Sequence, residues 1–407
     1  MDKNVVFFSH IYPEEYLDYF RKLSNGPLSA PAISYYEESF ITLFARIFPN
    51  MFVINHPFIP EHPKKSSSIF VKSFEFTLKN GISGKSIDYI NWWKTHIIFR
   101  YSSMKKTINR YARKLGAIDI AVVSTYHDSK LIRILKRKNP KCKILFLLPD
   151  IPHFRLEKNQ SPLHRVLIKK NIHDFNKNLS QVDLFLPISK HMIDYLNFDH
   201  NKSFVVEGVC CSNRNNNLFS KKRGGNKTIA YLGSLSKEYG VLTLIKAFIS
   251  SDLKEYKLVL AGKGHLHDEI KRISLDNPNI IFKGFISREE SILLQKQADL
   301  LVVPELPSNS YSKYSFHSKI FEYMQSRTPV LTYKYGGIPS DYYDYLFFIE
   351  ENGNPINDLA ASLKKTLEYG NEYLLATGDL AADFIKKKKS VDAIAKLLLA
   401  KMRRLNL

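Results

Sequence analysis

Two doubly wound α/β domains, each built on a parallel sheet, are the fold class that this sequence predicts. Short apolar segments without alternation, such as residues 4–9 (NVVFFS) and 299–304 (DLLVVP), are typical of strands buried on both faces of a parallel sheet. Helical patterns separate these segments, which favours parallel pairing. The chain has 407 residues, too many for one ordinary domain, so we expect two domains of roughly 200 residues.

The chain divides at a polar, Asn-rich stretch. Strands alternate with helices over residues 1–210, which form the predicted first domain. Residues 211–227 (CSNRNNNLFSKKRGGNK) contain a Gly-Gly pair near their end and are predicted to be a linker. A second series of strands and helices occupies residues 228–385, and residues 386–407 are a predicted C-terminal helix.

Positive charge is unevenly distributed along the chain. The sequence has 60 Lys and Arg against 39 Asp and Glu, a formal net charge of +21. Residues 1–205 hold 31 Lys and Arg against 17 Asp and Glu, so most of the excess lies in the first half. We find no helix-turn-helix pattern and no interleaved aromatic and basic motif, and therefore expect no nucleic-acid binding. A solvated basic surface and attraction to an anionic membrane or a polyphosphate ligand both remain open.

Residues 89–114 predict one long basic helix. Between residues 92 and 114 there are seven Lys and Arg and no acidic residue. A basic amphipathic helix with paired Trp is compatible with interfacial contact to a membrane. A helix with its apolar face on a sheet and its charged face in water would show the same pattern. Large apolar side chains lie near one end of this segment: Trp92, Trp93, Ile97, Ile98 and Phe99.

Cysteine usage and hydropathy predict no metal site and no membrane span. Cys142, Cys210 and Cys211 lack the spacing of zinc ligands and indicate a reducing compartment. The apolar run Val5–Phe8 is too short for a signal peptide. No uncharged stretch reaches the roughly 18 apolar residues of a transmembrane helix, and no D-x-D cluster suggests a divalent ion. We expect neither a metal nor another cofactor.

Polar and basic residues follow three strands of the second domain. The carboxyl ends of parallel strands are where open α/β sheets bind ligands. Residues 233–237 (GSLSK) and 262–264 (GKG) each follow a strand, and a short helix is predicted within residues 313–331 (KYSFHSKIFEYMQSRTPVL). Glycines allow close approach of the backbone, and lysines and helix N-termini suit phosphate. The helix carries Ser315, Ser318 and Lys319 at its N-terminus and Glu322 one turn further on. These elements together predict a crevice for a nucleoside diphosphate.

The first domain offers weaker candidates. The strand at residues 143–148 continues into PDIPHF, which places Asp150 and His153 at its carboxyl end. His127 follows another predicted strand, residues 119–124. Histidines in such loops are ordinary structural residues in most cases, so both that interpretation and contact with an acceptor stay open for His127 and His153.

Residues 228–345 resemble the C-terminal domain of retaining GT-B glycosyltransferases of family 4. Within that family, the KYSF element and the first-domain pairs Asp150–Pro152 and Glu207–Gly208 are similar to enzymes of bacterial capsular and exopolysaccharide synthesis. The resemblance implies two Rossmann-like domains facing a cleft, with the C-terminal helix crossing back to the first domain. The segments that carry it are YLGSLSKEYGV, LVLAGKGHL, NIIFKGFISREE, ADLLVVP, KYSFHSKIFEYM and RTPVLTYKYGGIP.

The resemblance also implies roles for individual residues. Glu322 matches the second Glu of the family's E-x7-E motif, which binds the donor ribose. Lys237 resembles the lysine on the donor diphosphate, and Gly233 the turn near the phosphates. Asp150 occupies the position of a His or Asp near the transferred sugar. The other implied donor contacts are Ser234, Gly262, Gly264, Tyr314, Ser315, Ser318, Lys319 and, around the base, Phe285 and Ile286.

Three positions depart from the family pattern. Tyr314 stands where the first Glu of E-x7-E is expected, Ser234 replaces an Arg, and His317 replaces the Pro that usually precedes Ser318. Tyr occurs at this position in related capsular enzymes with KYSF, so we interpret Tyr314 as a trait of a subclass. It leaves open how the hydroxyls of the donor sugar are held.

The predicted activity is transfer of a sugar, with retention, from a nucleotide-diphosphate donor to an undecaprenyl-diphosphate-linked glycan. UDP is the expected carrier, because uridine is the usual base in such donors. Asp150, Lys237 and Glu322 are the predicted catalytic residues, and no metal is required. We expect a cytoplasmic protein, peripheral on the inner face of the cell membrane through its basic first domain. Two alternatives remain: a sugar-nucleotide 2-epimerase of the same fold, and a non-catalytic glycan-binding protein with a degenerate donor site.

Overall fold

Two compact units make up the chain. The computed structural model describes residues 3–26, 28–29, 31–152, 162–211, 227–307 and 311–407. The first unit comprises Met1–Cys211 and Val391–Leu407, and the second comprises Ser212–Ser390. The ends of the two domains were predicted at residues 210 and 385, and most of the predicted linker, residues 212–226, lies outside the described residues.

The first unit is built on a seven-stranded sheet in the order β4-β5-β2-β1-β7-β8-β9. All pairs are parallel except β4 with β5, and β3 and β6 form a separate antiparallel pair. Its strands are β1 (Val5–Ser9), β2 (Phe52–Asn55), β3 (Phe70–Val71), β4 (Glu75–Thr77), β5 (Ser83–Ser86), β6 (Tyr89–Ile90), β7 (Ile120–Ser124), β8 (Lys143–Leu148) and β9 (Leu184–Pro187). Its helices are α1 (Leu17–Leu23), α2 (Pro31–Ile47), α3 (His96–Leu115), α4 (Ser129–Lys138), α5 (Pro162–Leu179), α6 (Lys190–Tyr195) and α13 (Val391–Arg404).

The C-terminal helix belongs to the first unit, as the fold class predicts. Helix α13 packs against α2, and its buried residues Ile394, Leu398 and Met402 join the hydrophobic core beneath the sheet. The periodicity of 3.6 residues in VDAIAKLLLAKM explains this packing, because it places those three residues on one face. Arg46 of α2 also forms an ion pair with Asp392 at the start of α13.

The predicted helix over residues 89–114 is shorter than expected. Tyr89–Ile90 form β6 and pair with β3, and Trp92 has an extended backbone with φ −96° and ψ 113°. A single 3-10 turn, Trp93–Thr95, then leads into α3. Strand pairing therefore overrides the helical pattern until His96. No helix within the described ranges is both long enough and apolar enough to cross a membrane.

The second unit contains a six-stranded parallel sheet in the order β12-β11-β10-β13-β14-β15. The prediction of two doubly wound parallel-sheet domains is thus confirmed. Its strands are β10 (Thr228–Leu232), β11 (Lys257–Ala261), β12 (Ile280–Phe282), β13 (Leu300–Val303), β14 (Val330–Thr332) and β15 (Phe347–Phe348). Its helices are α7 (Val241–Ser250), α8 (His267–Asp276), α9 (Arg288–Gln297), α10 (Ser318–Gln325), α11 (Pro355–Glu368) and α12 (Gly370–Lys388).

Local sequence signals start the helices that matter for the site. Ser287 caps α9 in a reciprocal capping box with Glu290, an arrangement that satisfies two backbone donors at a helix N-terminus. Helix α10 lies between β13 and β14, and its residues Ile320, Phe321, Tyr323 and Met324 are buried. Both helices are thereby fixed on the sheet, and they bring Gln295 of α9 and Glu322 of α10 into contact.

Candidate functional site

The sequence-predicted elements meet at the carboxyl edge of the second unit's sheet. Strands β10, β11 and β13 are neighbours in this sheet. Residues 233–237 follow β10, residues 262–264 follow β11, and α10 follows β13 after an intervening loop. Because parallel strands end at the same edge, the two glycine turns and the N-terminus of α10 converge there.

The glycines of the two turns let the turns approach each other. A Cβ at Gly262, where φ is +150°, would lie 1.6 Å from the backbone oxygen of Gly233, and one at Gly264 would lie 2.1 Å from that of Leu235. Backbone hydrogen bonds join the turns: Gly233 N–H donates to Ala261, and Leu235 N–H donates to Lys263. The glycines therefore allow close contact between the two turns themselves. We call the surface formed by residues 233–237 and 262–264 the backbone platform.

Helix α10 begins at Ser318, five residues later than the start of the predicted segment. His317, which precedes it, is extended at φ −69° and ψ 113° and makes no side-chain capping hydrogen bond. Ser315, predicted at the helix N-terminus, lies instead in the preceding turn, where its N–H donates to the carbonyl of Tyr311. The first turn of α10 thus carries Ser318, which is exposed, and Lys319. An N-terminus without a side-chain cap is suited to an anion.

Lys319 extends across the platform and is held by two aromatic rings. Its Nζ lies 4.7 Å from the ring centroids of both Tyr231 and Tyr239 and donates a hydrogen bond of 2.9 Å to the Tyr231 hydroxyl. A Cβ at Gly233 would lie 2.0 Å from Cε of Lys319. Burial lowers the pKa of Lys319 to about 8, although Glu305 and Glu322 oppose the shift. Lys319 is therefore mainly a desolvated cation at neutral pH, and such a charge interacts strongly with anions.

Glu322 is fixed by a buried glutamine of α9. Gln295 donates a hydrogen bond of 2.9 Å from Nε2 to Oε1 of Glu322, and Gln295 is buried whereas Glu322 is half-buried. Tyr323 anchors the same turn, because its hydroxyl accepts from Leu232 N–H and donates to the Leu232 carbonyl. The carboxylate is thereby positioned next to the end of β10 in a fixed orientation.

The remaining predicted donor residues lie around this centre. Lys237 is exposed, and Ser234 Oγ lies 3.2 Å from Ser236 Oγ in the first turn. Phe285 follows β12 and is 67% exposed, with Nζ of Lys263 3.5 Å above its ring. An exposed aromatic ring at a strand end offers a stacking surface for a base. Ile286, the next residue, is half-buried.

A buried carboxylate that was not predicted from the sequence also lies at this edge. Glu305 follows β13 and is 1% exposed; it accepts a 2.7 Å hydrogen bond from the Tyr311 hydroxyl. Nδ1 of His317 lies 3.3 Å from its Oε2. Burial, with the nearby charge of Lys319, lowers the pKa of His317 to about 3, so this histidine is neutral. Tyr314, at the position of the expected first Glu, is half-buried in the turn before α10. The available signal for Glu305 was its position directly after the apolar segment DLLVVP, residues 299–304.

The first unit's candidates are only partly described. Asp150 follows β8, His127 lies in the turn after β7, and both side chains are exposed. Since β7 and β8 are neighbours, the two residues share the carboxyl edge of the first sheet. The ring of His127 packs beside Tyr126, 4.0 Å between centroids. His153 lies outside the described residues.

The same edge of the first sheet holds a second feature that the sequence did not reveal. His10 directly follows β1, His56 directly follows β2, and Asp128 lies just after β7. These three side chains and that of Glu37 on α2 are buried. Their spacing along the chain gives no motif, and only the parallel pairing of β2, β1 and β7 brings them together.

The fold of the whole chain is found in solved structures of other proteins. Sucrose-phosphate synthase from Thermosynechococcus elongatus matches with a TM-score of 0.66 at 14% identity, covering 99% of each chain. The catalytic domain of starch synthase IV from Arabidopsis thaliana matches with a TM-score of 0.65 at 9% identity, covering 99% of each chain. A UDP-forming α,α-trehalose-phosphate synthase from Burkholderia xenovorans matches with a TM-score of 0.64 at 12% identity over all of both chains. The fold is therefore GT-B.

Part of the chain matches a known family. Residues 213–391, fewer than half of the 407 residues, match the family model described as glycosyl transferases group 1. The matched range contains both glycine turns, Lys319 and Glu322. A comparison with curated proteins finds no significant match.

Proposed function

We propose that this protein is a retaining glycosyltransferase of the family 4 type that binds a nucleotide-diphosphate sugar at the carboxyl edge of the second sheet. The observation that carries the proposal is the position of Lys319, a desolvated cation over the Gly233 turn and at the N-terminus of α10. A diphosphate placed there meets a positive charge and helix N–H groups together. UDP is the proposed carrier; among proteins of the same fold, a trehalose-phosphate synthase is UDP-forming and a starch synthase structure is bound to ADP.

The proposed chemistry is front-face displacement. The acceptor hydroxyl attacks the anomeric carbon on the face from which the diphosphate leaves. The bond from that carbon to the phosphate oxygen breaks with its electron pair, and the hydroxyl proton passes to the released phosphate. Lys319, with Lys237 on the exposed turn, stabilises the charge that develops on the leaving group, and one such donor contributes about 10²–10³ in rate. No metal has a role in this proposed step.

We expect Glu322→Gln to weaken nucleotide-diphosphate binding about tenfold, because a hydrogen bond from a ribose hydroxyl to a charged acceptor contributes about 1.5–3 kcal/mol. Gln keeps the shape of the side chain but removes the charge. First, thermal shifts with UDP, GDP, dTDP and their sugars identify the base, since binding raises stability by mass action. Titration calorimetry then compares wild-type and variant protein with the best nucleotide and with its 2′-deoxy form.

The deoxy comparison gives the Glu322 experiment its specificity. Wild-type protein should prefer the ribonucleotide, and Glu322→Gln should lose most of that preference. Glu368→Gln, on the exposed surface of α11 in the same unit, serves as the matched control and should bind like the wild type. Equal binding by wild type and Glu322→Gln, or an unchanged ribose preference, would contradict the proposed role of Glu322.

For the acceptor, we propose an undecaprenyl-diphosphate-linked glycan of capsular or related polysaccharide synthesis. The first unit supports this with an apolar patch, defined as the exposed residues Ile69, Phe70, Ile90, Trp92, Trp93, Ile97, Ile98 and Phe99. Phe70 and Ile90 are partners in the β3–β6 pair, and α3 packs on β6. Nζ of Lys64 lies 5.6 Å from the ring of Trp93. Exposed basic residues continue along α3: Lys105, Lys106, Arg110, Arg113 and Lys114.

A patch with this composition suits the interface of an anionic membrane. Aromatic and aliphatic side chains enter the headgroup region, and nearby lysines and arginines attract anionic lipids. In the proposed arrangement the protein is peripheral on the cytoplasmic face of the cell membrane. Asp150 and His127, at the carboxyl edge of the first sheet, are then the residues proposed to contact the transferred sugar and the acceptor.

The double variant Trp92→Ser/Ile98→Ser should bind anionic vesicles at least tenfold more weakly than wild type, because burying one large apolar side chain contributes about 1.5–3 kcal/mol. Flotation with vesicles containing about 30% anionic lipid measures this at low and at physiological salt. Leu275→Ser, which removes an exposed leucine of the second unit, should bind normally. Equal wild-type binding to neutral and anionic vesicles would refute the electrostatic part of the proposal.

A further inference from the structure

Three buried side chains in the first unit point toward one another at the carboxyl ends of three adjacent strands. Nε2 of His56 lies 2.8 Å from Oδ2 of Asp128, and Nε2 of His10 lies 3.2 Å from the same oxygen. One ligand atom from each residue lies within 4.8 Å of the other two. Burial is essentially complete, since none of these side chains is more than 1% exposed.

The two nitrogen–oxygen distances are short enough for hydrogen bonds, but the geometry is not that of hydrogen bonds. Neither nitrogen–oxygen pair is aligned for one. In the described part of the chain Nε2 of His10, both nitrogens of His56 and both oxygens of Asp128 have no aligned partner. Leaving a buried polar group without a partner costs about 1–3 kcal/mol. Five such atoms in one place require an explanation, and a common partner between the three side chains would take Nε2 of both histidines and one oxygen of Asp128.

Glu37 and Phe58 hold His10 in the orientation of a ligand. Glu37 Oε1 lies 2.8 Å from Nδ1 of His10, and its Oε2 accepts from the His10 backbone N–H. A carboxylate on Nδ1 fixes the proton there, which leaves the Nε2 lone pair directed at Asp128; carboxylate–histidine pairs of this kind are typical behind metal-bound histidines. The ring of Phe58 stacks on His10 at 4.1 Å and 2°, which prevents rotation of the imidazole.

We propose that His10, His56 and Asp128 bind one divalent transition-metal ion, with Zn²⁺ as the preferred ion, and that Glu37 orients His10. Two imidazoles and one carboxylate are ligands that Zn²⁺ favours over Mg²⁺ or Ca²⁺. Metal–ligand bonds of about 2.0–2.1 Å place tetrahedral ligand atoms about 3.3 Å apart, close to the 3.2 Å between His10 and Asp128. The ion joins the ends of β1, β2 and β7 and has a structural role distinct from sugar transfer.

The competing explanation is a network of protons without a metal. Nδ1 of His10 lies 2.8 Å from Glu37 and Nε2 lies 3.2 Å from Asp128, so a protonated His10 would bridge two carboxylates. This explanation leaves His56 unsatisfied, because within the described residues neither of its buried nitrogens has an aligned partner. A bound ion instead uses Nε2 of His56 directly.

The test is the metal content of the full-length protein. Elemental analysis by mass spectrometry, after expression with Zn²⁺ and dialysis against metal-free buffer, should find about one zinc per chain in wild type and less than about 0.2 in His56→Gln. His200→Gln is the matched control: His200 also faces an aspartate, with Nε2 2.9 Å from Asp194, but both side chains are exposed. The control should keep the full metal content.

Wild-type protein alone decides the matter if His56→Gln does not fold. A chelator should lower the melting temperature by several degrees and added Zn²⁺ should restore it, because a ligand of the folded state stabilises by mass action. Co²⁺ in place of Zn²⁺ should give absorption in the visible range. The proposal would be overturned by a metal content below about 0.1 per chain together with a melting temperature that changes with neither chelator nor Zn²⁺. It would also be overturned if folded His56→Gln retained the full metal content.

Discussion

Replacing Lys319 by methionine is expected to weaken nucleotide-diphosphate binding about 30-fold while leaving the second unit folded. A hydrogen bond to a charged group contributes about 1.5–3 kcal/mol, and here the ammonium is desolvated between Tyr231 and Tyr239. Methionine fills the same space between the rings without the cost of burying a charge. Titration calorimetry measures the binding constant, and thermal unfolding confirms that the variant is folded.

The pH dependence of binding identifies Lys319 more directly. Burial lowers its pKa to about 8, below the ordinary lysine value, so the charge that attracts the diphosphate is present at pH 7 and is lost as the pH rises through 8. For a single group with this pKa, the dissociation constant should be about fourfold higher at pH 8.5 than at pH 7. Lys319→Arg should remove this dependence, because arginine remains protonated.

Lys334→Met provides the control for Lys319→Met. Nζ of Lys334 lies 4.2 Å from the ring centroid of Tyr343 in the same unit, so the variant also removes a lysine packed on a tyrosine but leaves Lys319 and both glycine turns unchanged. It should bind the nucleotide as wild type does. The proposed donor site would be refuted if both variants bound equally, or if wild-type binding did not change between pH 7 and 8.5.

The strand ends of the second unit were predictable because their signals are local. Residues 233–237 and 262–264 each lie directly after an apolar strand, so pattern alone places them at one edge of a parallel sheet. The position of α10 was predicted only approximately. Its start at Ser318 depends on the backbone of His317, and nothing in the sequence KYSFHSK distinguishes an extended residue from a helical one.

Contacts between distant residues explain what the sequence did not reveal. Gln295 holds Glu322 from another helix, and His10 approaches Asp128 across more than a hundred residues. Neither pair has a characteristic spacing, and both depend on the final packing of side chains. The predicted helix at residues 89–114 was wrong at its start for the same reason, because pairing of β6 with β3 is a tertiary contact that overrides local propensity.

The role of the glycines also needed the structure. From the sequence, Gly233, Gly262 and Gly264 were predicted to allow a ligand near the backbone. In the structure, Gly262 and Gly264 allow one turn near another, and Gly233 makes space for the stem of Lys319. The two interpretations connect, because the platform formed by the turns is what Lys319 covers. A change in the platform should therefore reach the binding site.

Gly262→Ala is expected to be the most destabilising single-methyl substitution at this site. The added Cβ would lie 1.6 Å from the backbone oxygen of Gly233, in a turn held on both sides of that oxygen by the backbone hydrogen bonds from Gly233 N–H to Ala261 and from Leu235 N–H to Lys263. Overpacking of this kind costs about 1–3 kcal/mol, and the positive φ of Gly262 adds about 1–3 kcal/mol of backbone strain. Chemical denaturation measures the loss in the free energy of unfolding.

Gly353→Ala separates the two contributions. Gly353 also has a positive φ, +106°, but a Cβ there meets no atom within 4 Å, so this variant suffers backbone strain alone. The difference between the two variants then reports the contact between the turns and should be about 1–3 kcal/mol. If Gly262→Ala were no less stable than Gly353→Ala, the turns would not be in the close contact described. If it were less stable yet bound nucleotide normally, the platform would support the fold but not the site, because a displaced Gly233 turn must also displace Lys319.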